Sequence, residues 1–229
     1  MTARLVSSAE IAPEVRHFEF DVPGVPSLSY LAGQFLSFTE EIGGKRITRA
    51  YSVASAPSGN RFELCLNRVK EGHLSPYLFR MNPGDTIEFG GPYGVFTPRT
   101  PLSDSLLVAT GTGVAPFRAM IQTLLPPETD HRFHLLWGVR NEESILYRTE
   151  FEALAARYPS FRFQPTLSRP DWKWTGSVGR VQAHLPDAMG DRRDIDVYIC
   201  GLKAMVDDVR ARLRMAGLER RRIIYEKYD

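Results

Sequence analysis

Cysteine is nearly absent from this chain of 229 residues, which contains only Cys65 and Cys200. Two thiolates cannot hold an iron–sulfur cluster of the ferredoxin type, which takes four, and a single pair is too few for a disulfide framework. No apolar run approaches the roughly 20 residues that span a bilayer, and the N-terminus carries no secretion signal. We therefore expect a cytoplasmic protein without a membrane span.

The sequence also lacks a strong excess of either charge, since 29 Lys and Arg stand against 27 Asp and Glu. Arginines cluster locally near the C-terminus, at positions 210, 212, 214 and 220–222. A solvated surface is the simpler interpretation, and a docking surface for an acidic partner is the alternative. No nucleic-acid motif accompanies them. Only His131 and His134 of the five histidines are close in sequence, so we expect neither nucleic-acid binding nor a metal site.

The first half of the chain has the pattern of β-strands. Short segments with apolar residues at alternating positions recur up to about residue 98: VRHFEFDV, GQFLSFTE, ITRAYSVA, FELCLNRV and TIEFG. Turn residues separate them, which predicts a small antiparallel barrel. One helix is predicted in HLSPYLFRM, with Ser75 as its N-cap and Pro76 at the first helical position.

The second half alternates between strands and helices. A buried strand is predicted in SLLVAT, and helical segments separate it from further strands in FHLLWGV, RFQPTL, IDVYICG and RRIIYEKY. This alternation predicts a parallel sheet with right-handed crossovers. The pattern breaks in TPRTPLSD, residues 97–104. We therefore predict a β-barrel domain over 1–100 and an α/β domain over 101–229.

A glycine-rich turn, GTGVAP, follows the first strand of the α/β half and precedes a helix. Gly111 and Gly113 would let an anion approach the backbone near a helix N-terminus. A tight packing turn is the alternative. Cys200-Gly201 ends another strand, so Gly111, Gly138 and Gly201 should open onto one crevice at the strand carboxyl ends. A buried structural cysteine is the alternative for Cys200.

The strand segment RAYS is hard to explain by packing alone. Arg49 and Tyr51 share one strand face and Ser52 points to the other. A ligand with a flat ring and a pyrophosphate would account for all three. The ring can stack on Tyr51, a ring nitrogen can meet the Ser52 hydroxyl, and the phosphates can bind the Arg49 guanidinium group. An exposed strand face is the alternative.

Six short motifs occur in the order found in the ferredoxin–NADP reductase family, which the chain resembles over nearly its whole length. They are RAYS, GHLS (72–75), GPYG (91–94), GTGVAP (111–116), WGVR (137–140) and CGLKAM (200–205). The resemblance implies an FAD-binding barrel, with FMN as the less favoured flavin, followed by a domain that binds NADPH or NADH. It also implies electron transfer to ferredoxin, flavodoxin or another acidic carrier.

The resemblance implies roles for individual residues. Arg49 would bind the FAD pyrophosphate, Tyr51 would stack on the isoalloxazine ring, and Ser52 would hydrogen-bond near N5. Gly72 and Ser75 would bring a helix N-terminus to the pyrophosphate. The second set would hold the nicotinamide nucleotide: Gly111, Thr112 and Gly113 at its pyrophosphate, Arg140 in WGVR, and Cys200 and Gly201 beside the nicotinamide. Tyr228 resembles the C-terminal aromatic residue that covers the other flavin face and moves aside for the nicotinamide.

The choice between NADPH and NADH depends on the charge that meets the ribose 2′ position. Ser168-Arg169 resembles the 2′-phosphate site of NADP-using members, and Arg180 could add a second cation. Asp171 argues for a free hydroxyl and hence for NADH. The sequence favours NADPH. Two alternatives stay open: an NADH-dependent reductase component of an oxygenase system, and a flavin-binding module without turnover.

Overall fold

The computed structural model describes residues 1–126 and 129–228, and the chain divides into two compact units. The first unit comprises Met1–Pro98 and Ala115–Thr123, and the second comprises Arg99–Val114 and Leu124–Asp229. One sheet is antiparallel and the other parallel, which confirms the predicted fold class. The domain limits 1–100 and 101–229 stay a prediction, and the helix that follows the glycine turn groups with the first unit.

The first unit is a six-stranded antiparallel sheet with the order β4-β3-β6-β1-β2-β5. Its elements are β1 (Thr2–Ala12), β2 (Val15–Asp21), β3 (Phe35–Ile42), β4 (Lys45–Ser52), β5 (Arg61–Asn67), α1 (Leu74–Leu78) and β6 (Thr86–Tyr93). An isolated bridge between Val53 and Leu64 links the chain after β4 to β5. The two edges of the sheet therefore meet, as in a barrel.

Phenylalanine rings fill the interior of this barrel. Five of them are at most 4% exposed: Phe18, Phe20, Phe38, Phe62 and Phe89. Phe18 and Phe20 point inward together because residues two apart in a strand share a face. Phe20 stacks on Phe62 with ring centroids 5.4 Å apart. The alternating apolar pattern that predicted the strands thus supplies the core.

The second unit is a six-stranded parallel sheet with the order β10-β9-β8-β7-β11-β12. Its strands are β7 (Ser105–Thr110), β8 (Phe133–Val139), β9 (Phe161–Leu167), β10 (Ser177–Val178), β11 (Asp196–Leu202) and β12 (Ile223–Tyr228). The helices along this half of the chain are α2 (Ala115–Leu124), α3 (Arg148–Arg157), α4 (Val181–Met189) and α5 (Lys203–Met215). None of the helices within residues 1–126 and 129–228 combines the length and apolar character that crossing a membrane requires.

Strand β7 lies at the point where the strand order reverses. The chain adds β8, β9 and β10 on one side of β7, and then returns to place β11 and β12 on the other side. In open parallel sheets, ligands bind outside the strand carboxyl ends at such a switch point. The turns after β7 and β11 therefore lie where a ligand of this sheet is expected to bind.

The predicted cap of the barrel helix is wrong. Helix α1 begins at Leu74, with His73 at the N-cap, and Ser75 lies inside the helix. The Ser75 side chain is buried, and its Oγ accepts a hydrogen bond from the Val69 N–H at 3.0 Å. The hydroxyl thus stabilises the preceding turn instead of capping the helix.

The buried His134 of β8 should make stability depend on pH. Burial, with a contribution from the positive charge of Arg162, lowers the pKa of His134 from 6.5 to about 4, although a hydrogen bond with Gln164 partly offsets this. In the unfolded chain His134 is therefore protonated below about pH 6.5, whereas in the folded chain it is protonated only below about pH 4. The contribution of His134 to stability is therefore fully present above pH 6.5 and is lost through this window as the pH is lowered.

We expect His134→Gln to remove about 3 kcal/mol of this decline between pH 6.5 and 4. The measurement is urea unfolding at several pH values with the cofactor concentration held constant. An unchanged pH dependence in the variant would show that His134 is not the residue responsible.

Candidate functional site

The end of β4 presents a cation on a strand face that is otherwise packed against the barrel. Ile47 and Tyr51 both pack against the core cluster, whereas Arg49 between them is exposed. The Arg49 guanidinium donates only to the Thr48 carbonyl, at 2.7 Å, and pairs with no carboxylate in the described part of the chain. Its charge is therefore available to an anionic ligand.

Tyr51 and Ser52 follow directly. The Tyr51 ring is half-buried and makes an edge contact with Phe38 at 5.9 Å between centroids. Burial raises the pKa of Tyr51 to about 12 although the Arg49 charge works in the opposite direction, so the phenol stays neutral. Ser52 is 7% exposed on the opposite strand face. The structure thus brings a free cation and a partly accessible ring together on one face.

Helix α2, which the sequence predicted, holds the backbone that follows RAYS through two side chains whose contacts the sequence did not reveal. Arg118 is 9% exposed, and its Nη1 donates to the Ala54 carbonyl at 2.8 Å and to the Glu63 carboxylate. Gln122 Oε1 accepts the Ala56 N–H at 2.9 Å. The helix that follows the GTGV turn in sequence thus stabilises the backbone just beyond the RAYS strand.

Gly72 and Ser75 lie in a single tight turn. The Gly72 N–H donates to the Val69 carbonyl at 2.9 Å, and a Cβ atom at Gly72 would lie 3.0 Å from Val69 Cβ. Ser75 closes the same turn through Val69. The GHLS segment is therefore held in a compact turn. Two cations beside it, Arg68 and Lys70, are exposed.

In the second unit, the turns after β7 and β11 meet at backbone contact. A Cβ atom at Gly113 would lie 2.5 Å from the Cys200 carbonyl oxygen, and one at Gly201 would lie 2.4 Å from Thr110 Oγ1. Gly201 also has a φ of +147°, which side chains rarely adopt. These glycines are required for the close approach, and the structure brings together the two turns singled out from the sequence.

Gly138 serves a different contact at the same sheet edge. It is paired with Thr110 in the ladder between β7 and β8, and a Cβ atom there would lie 2.8 Å from Val181 Cγ1 of α4. The neighbouring Trp137 is fully buried and donates its Nε1–H to the Gly111 carbonyl at 3.0 Å. Strand β8 therefore supports the glycine turn from beneath.

Thr110 is a candidate site residue that the sequence did not reveal. Its Oγ1 is buried and has no hydrogen-bond partner within residues 1–126 and 129–228. A buried hydroxyl without a partner is uncommon in folded proteins. Because Thr110 immediately precedes Gly111 and contacts Gly201, its hydroxyl lies where a bound ligand could satisfy it. Its only sequence signal is its place at the end of β7.

Cys200 is wholly buried. Burial, with the nearby Glu226 carboxylate, raises the pKa of its thiol well above the usual value, although a hydrogen bond with Tyr228 partly offsets this. The thiol is therefore protonated and not a nucleophile. Tyr228 is half-buried at the end of β12 and is opposite Leu202 in the ladder with β11.

Three exposed arginines follow three neighbouring strands. Arg140 follows β8, Ser168 and Arg169 follow β9, and Arg180 follows β10. The Arg169 N–H donates to the Arg140 carbonyl at 2.8 Å, so the first two turns touch. None of the three guanidinium groups pairs with a carboxylate among the residues that the structure describes. The carboxyl edge of the sheet therefore carries uncompensated positive charge.

Asp171, the acid that argued against a phosphate here, is engaged locally. Its Oδ1 accepts the Lys173 N–H at 2.8 Å, as in an Asx turn. Trp172 beside it is 88% exposed. The carboxylate thus stabilises its own turn.

The C-terminal arginines are mostly paired with nearby acids. Arg210 pairs with Asp207 and Arg212 with Asp208 along α5, and Arg222 pairs with the buried Asp196. The simpler interpretation of these charges, a solvated surface, fits this pairing better than a docking surface does.

Comparison with known proteins gives the class first. Residues 2–97 match the model of the oxidoreductase FAD-binding domain, and residues 107–211 match that of the oxidoreductase NAD-binding domain. The chain is therefore a flavin-dependent oxidoreductase that uses FAD and a nicotinamide dinucleotide.

Individual relatives give the family. Ferredoxin–NADP reductase B of Sorangium cellulosum is 41% identical over 99% of this chain and 97% of its own. The electron transfer component of toluate 1,2-dioxygenase from Pseudomonas putida is 30% identical, and the match spans 88% of this chain but 59% of that protein. A crystal structure of a ferredoxin NADP⁺ reductase from Neisseria gonorrhoeae with bound FAD and NADP has a TM-score of 0.85 at 26% identity, covering 99% and 98% of the two chains. This chain belongs to the ferredoxin–NADP reductase family, as its motifs predicted.

The contact between Gly113 and Cys200 leads to a test of the nucleotide turn. In Gly113→Ala the new methyl group would meet a backbone oxygen, so the turn must shift. We expect the KM for the nicotinamide nucleotide to rise about tenfold, the size expected for loss of one anion hydrogen bond. Steady-state kinetics measures this.

Gly190→Ala is the matched control, because Gly190 also precedes a loop of the second unit and has open space around its Cβ position. It should lower stability through its positive φ and leave the KM unchanged. Equal KM values for Gly113→Ala and the parent would show that this turn does not contact the nucleotide.

Proposed function

We propose that this protein passes electrons from NADPH through FAD to a small acidic carrier protein of the ferredoxin or flavodoxin kind. The choice of NADPH depends chiefly on the exposed and unpaired guanidinium groups of Arg140, Arg169 and Arg180. A 2′-phosphate needs such cations, whereas a free ribose hydroxyl is usually met by an acid. The name of the Sorangium relative, a ferredoxin–NADP reductase, supports the same assignment.

We assign the FAD diphosphate to Arg49 and to the turn that contains Gly72 and Ser75. Arg49 fits because its charge has no carboxylate partner among the described residues. Gly72 and Ser75 would contribute through the shape of their compact turn. The Ser75 hydroxyl is already occupied, because it accepts a hydrogen bond from the Val69 N–H. Tyr51 would stack on the isoalloxazine ring through its accessible part, and Ser52 would hydrogen-bond near N5.

We assign the nicotinamide nucleotide to the switch point of the parallel sheet. The turn of Gly111, Thr112 and Gly113 would hold the pyrophosphate, with backbone N–H groups exposed to it. Gly201 would let the nicotinamide lie against the backbone. The adjacent Thr110 Oγ1 has no hydrogen-bond partner among the described residues, which supports a ligand at this position. Ser168, Arg169, Arg180 and Arg140 would hold the 2′-phosphate.

When bound, FAD would supply the chemistry that links two-electron oxidation of the nicotinamide to one-electron carriers. The chain's own residues bind and orient. Cys200 is a neutral buried thiol, so it would pack beside the nicotinamide and help to position it, and it would not act as a nucleophile. Tyr228 would cover a flavin face and yield to the nicotinamide, which is a gating role. Its hydrogen bond with Cys200 is the contact that would have to change.

An acidic carrier fits the charges of the first unit better than those near the C-terminus. Arg68 and Lys70 are exposed, carry no ion pair in the described part of the chain, and flank Val69, which is 50% exposed. Charge steering of an acidic partner toward such a patch would speed association at low salt. We therefore propose this turn as part of the docking surface for the carrier.

The assignment of the 2′-phosphate can be tested with Arg169→Ala and Arg180→Ala. Each removes a charge-assisted hydrogen bond, so the KM for NADPH should rise at least about tenfold. The KM for NADH should stay within about twofold, because NADH lacks the phosphate that these cations would bind.

Arg162→Ala is the matched control, since Arg162 is exposed on β9 near its amino end. It should change neither constant. If NADH and NADPH serve equally well in the parent, or if both constants rise together in the variants, the preference for NADPH is wrong.

A further inference from the structure

A hydrogen-bonded pair of side chains fixes the backbone that leads to Arg180. The hydroxyl of Thr166, on β9, donates to the Gly179 carbonyl at 2.9 Å. Because that donates its only hydrogen, Thr166 Oγ1 must act as acceptor toward His184 Nε2, which lies 3.0 Å away. The same nitrogen lies 3.1 Å from the Val178 carbonyl. His184, on α4, thus donates toward two oxygens through one N–H.

The peptide groups on both sides of Gly179 are held as a result. The Gly179 N–H donates to the Leu167 carbonyl at 2.8 Å, while its carbonyl accepts from Thr166. Gly179 has a φ of +114°, which only glycine adopts readily, so the chain turns sharply here. Arg180 is the next residue, and it is the N-cap of α4. Its starting point in space is therefore set by Thr166 and His184.

Thr166 is 0% exposed, and His184 is half-buried on the first turn of α4. Both side chains use their polar atoms on the backbone of the turn before Arg180. A long arginine side chain loses much conformational freedom when it binds a phosphate, and a fixed backbone reduces what remains to be lost.

We propose that Thr166 and His184 are positioning residues that determine the preference for NADPH over NADH by holding Arg180. The proposal rests on the proposed function, in which Arg180 binds the 2′-phosphate. It goes beyond it by placing part of the cofactor specificity in a hydrogen-bonded pair that lies behind the arginine. Neither residue touches the reacting atoms.

The test uses the FAD-loaded protein with His184→Ala and Thr166→Val. The KM for NADPH should rise about fivefold to tenfold, somewhat less than for loss of the charged hydrogen bond itself. Turnover at saturation and the KM for NADH should stay within about twofold, because only the 2′-phosphate contact is disturbed. His184→Gln and Thr166→Ser keep a donor and a hydroxyl respectively, and they should restore most of the preference.

His134→Gln is the matched control. His134 is also a histidine that hydrogen-bonds a side chain of β9, Gln164 at 2.9 Å, but it is buried near the start of β8, away from the carboxyl edge. It should leave the ratio of the two KM values unchanged. If His184→Ala raises both KM values equally, the pair is only structural and the proposal is wrong.

A double-mutant cycle with Arg180→Ala separates this inference from the proposed function. Without the guanidinium group, His184→Ala should cause no further loss of NADPH preference, and a further loss would overturn the inference. If Arg180→Ala and Arg169→Ala alone leave the preference intact, the assignment of the 2′-phosphate fails instead. Should His184→Ala fail to bind FAD, Thr166→Val replaces it in the same cycle, with Thr166→Ser as its conservative control.

Discussion

The close approach of two backbone turns at the carboxyl edge of the parallel sheet is the contact on which the nucleotide half depends. Gly113 lies so near the Cys200 carbonyl that no side chain fits between them. This contact exists because β7 and β11 are neighbours at the point where the strand order reverses. It places the unsatisfied Thr110 hydroxyl at the switch point of the sheet, where open parallel sheets bind their ligands.

Positive charge without a partner is the second feature that the two units share. Arg49 in the barrel and Arg140, Arg169 and Arg180 in the parallel sheet are exposed, while most C-terminal arginines are neutralised by nearby acids. A guanidinium group without a carboxylate partner can form charge-assisted hydrogen bonds with an anion. Phosphate groups of the two cofactors that define the family are the anions we assign to them.

Local signals in the sequence predicted the fold and the glycine turns. Alternating apolar residues such as Phe18 and Phe20 revealed the barrel strands, and the continuous apolar run of β8 revealed a strand buried on both faces. Gly113 and Gly201 could be singled out because each lies at the carboxyl end of a parallel strand, where ligands of such sheets bind. The six ordered motifs gave the family.

Contacts between distant residues could not be predicted in this way. The bond of Arg118 to the Ala54 carbonyl spans 64 residues, and the pair of Thr166 and His184 joins a strand to a helix. Ser75 was misjudged because a serine before a proline is a common cap, and only the fold reveals that Val69 competes for its hydroxyl. Whether a given arginine is paired depends equally on the fold.

The central claim is that Arg49 and Tyr51 hold FAD, which NADPH reduces. Its most direct measurement is to reconstitute the protein with FAD, titrate it with NADPH without oxygen, and follow the flavin absorbance band. We predict a yellow protein that is bleached by about one equivalent of NADPH. FAD binding should be weaker in Arg49→Ala than in the control Arg46→Ala, because Arg46 lies on the other face of β4 and already pairs with Glu88. A folded protein that stays colourless with FAD, or a bound flavin that NADPH leaves unbleached, would contradict the account.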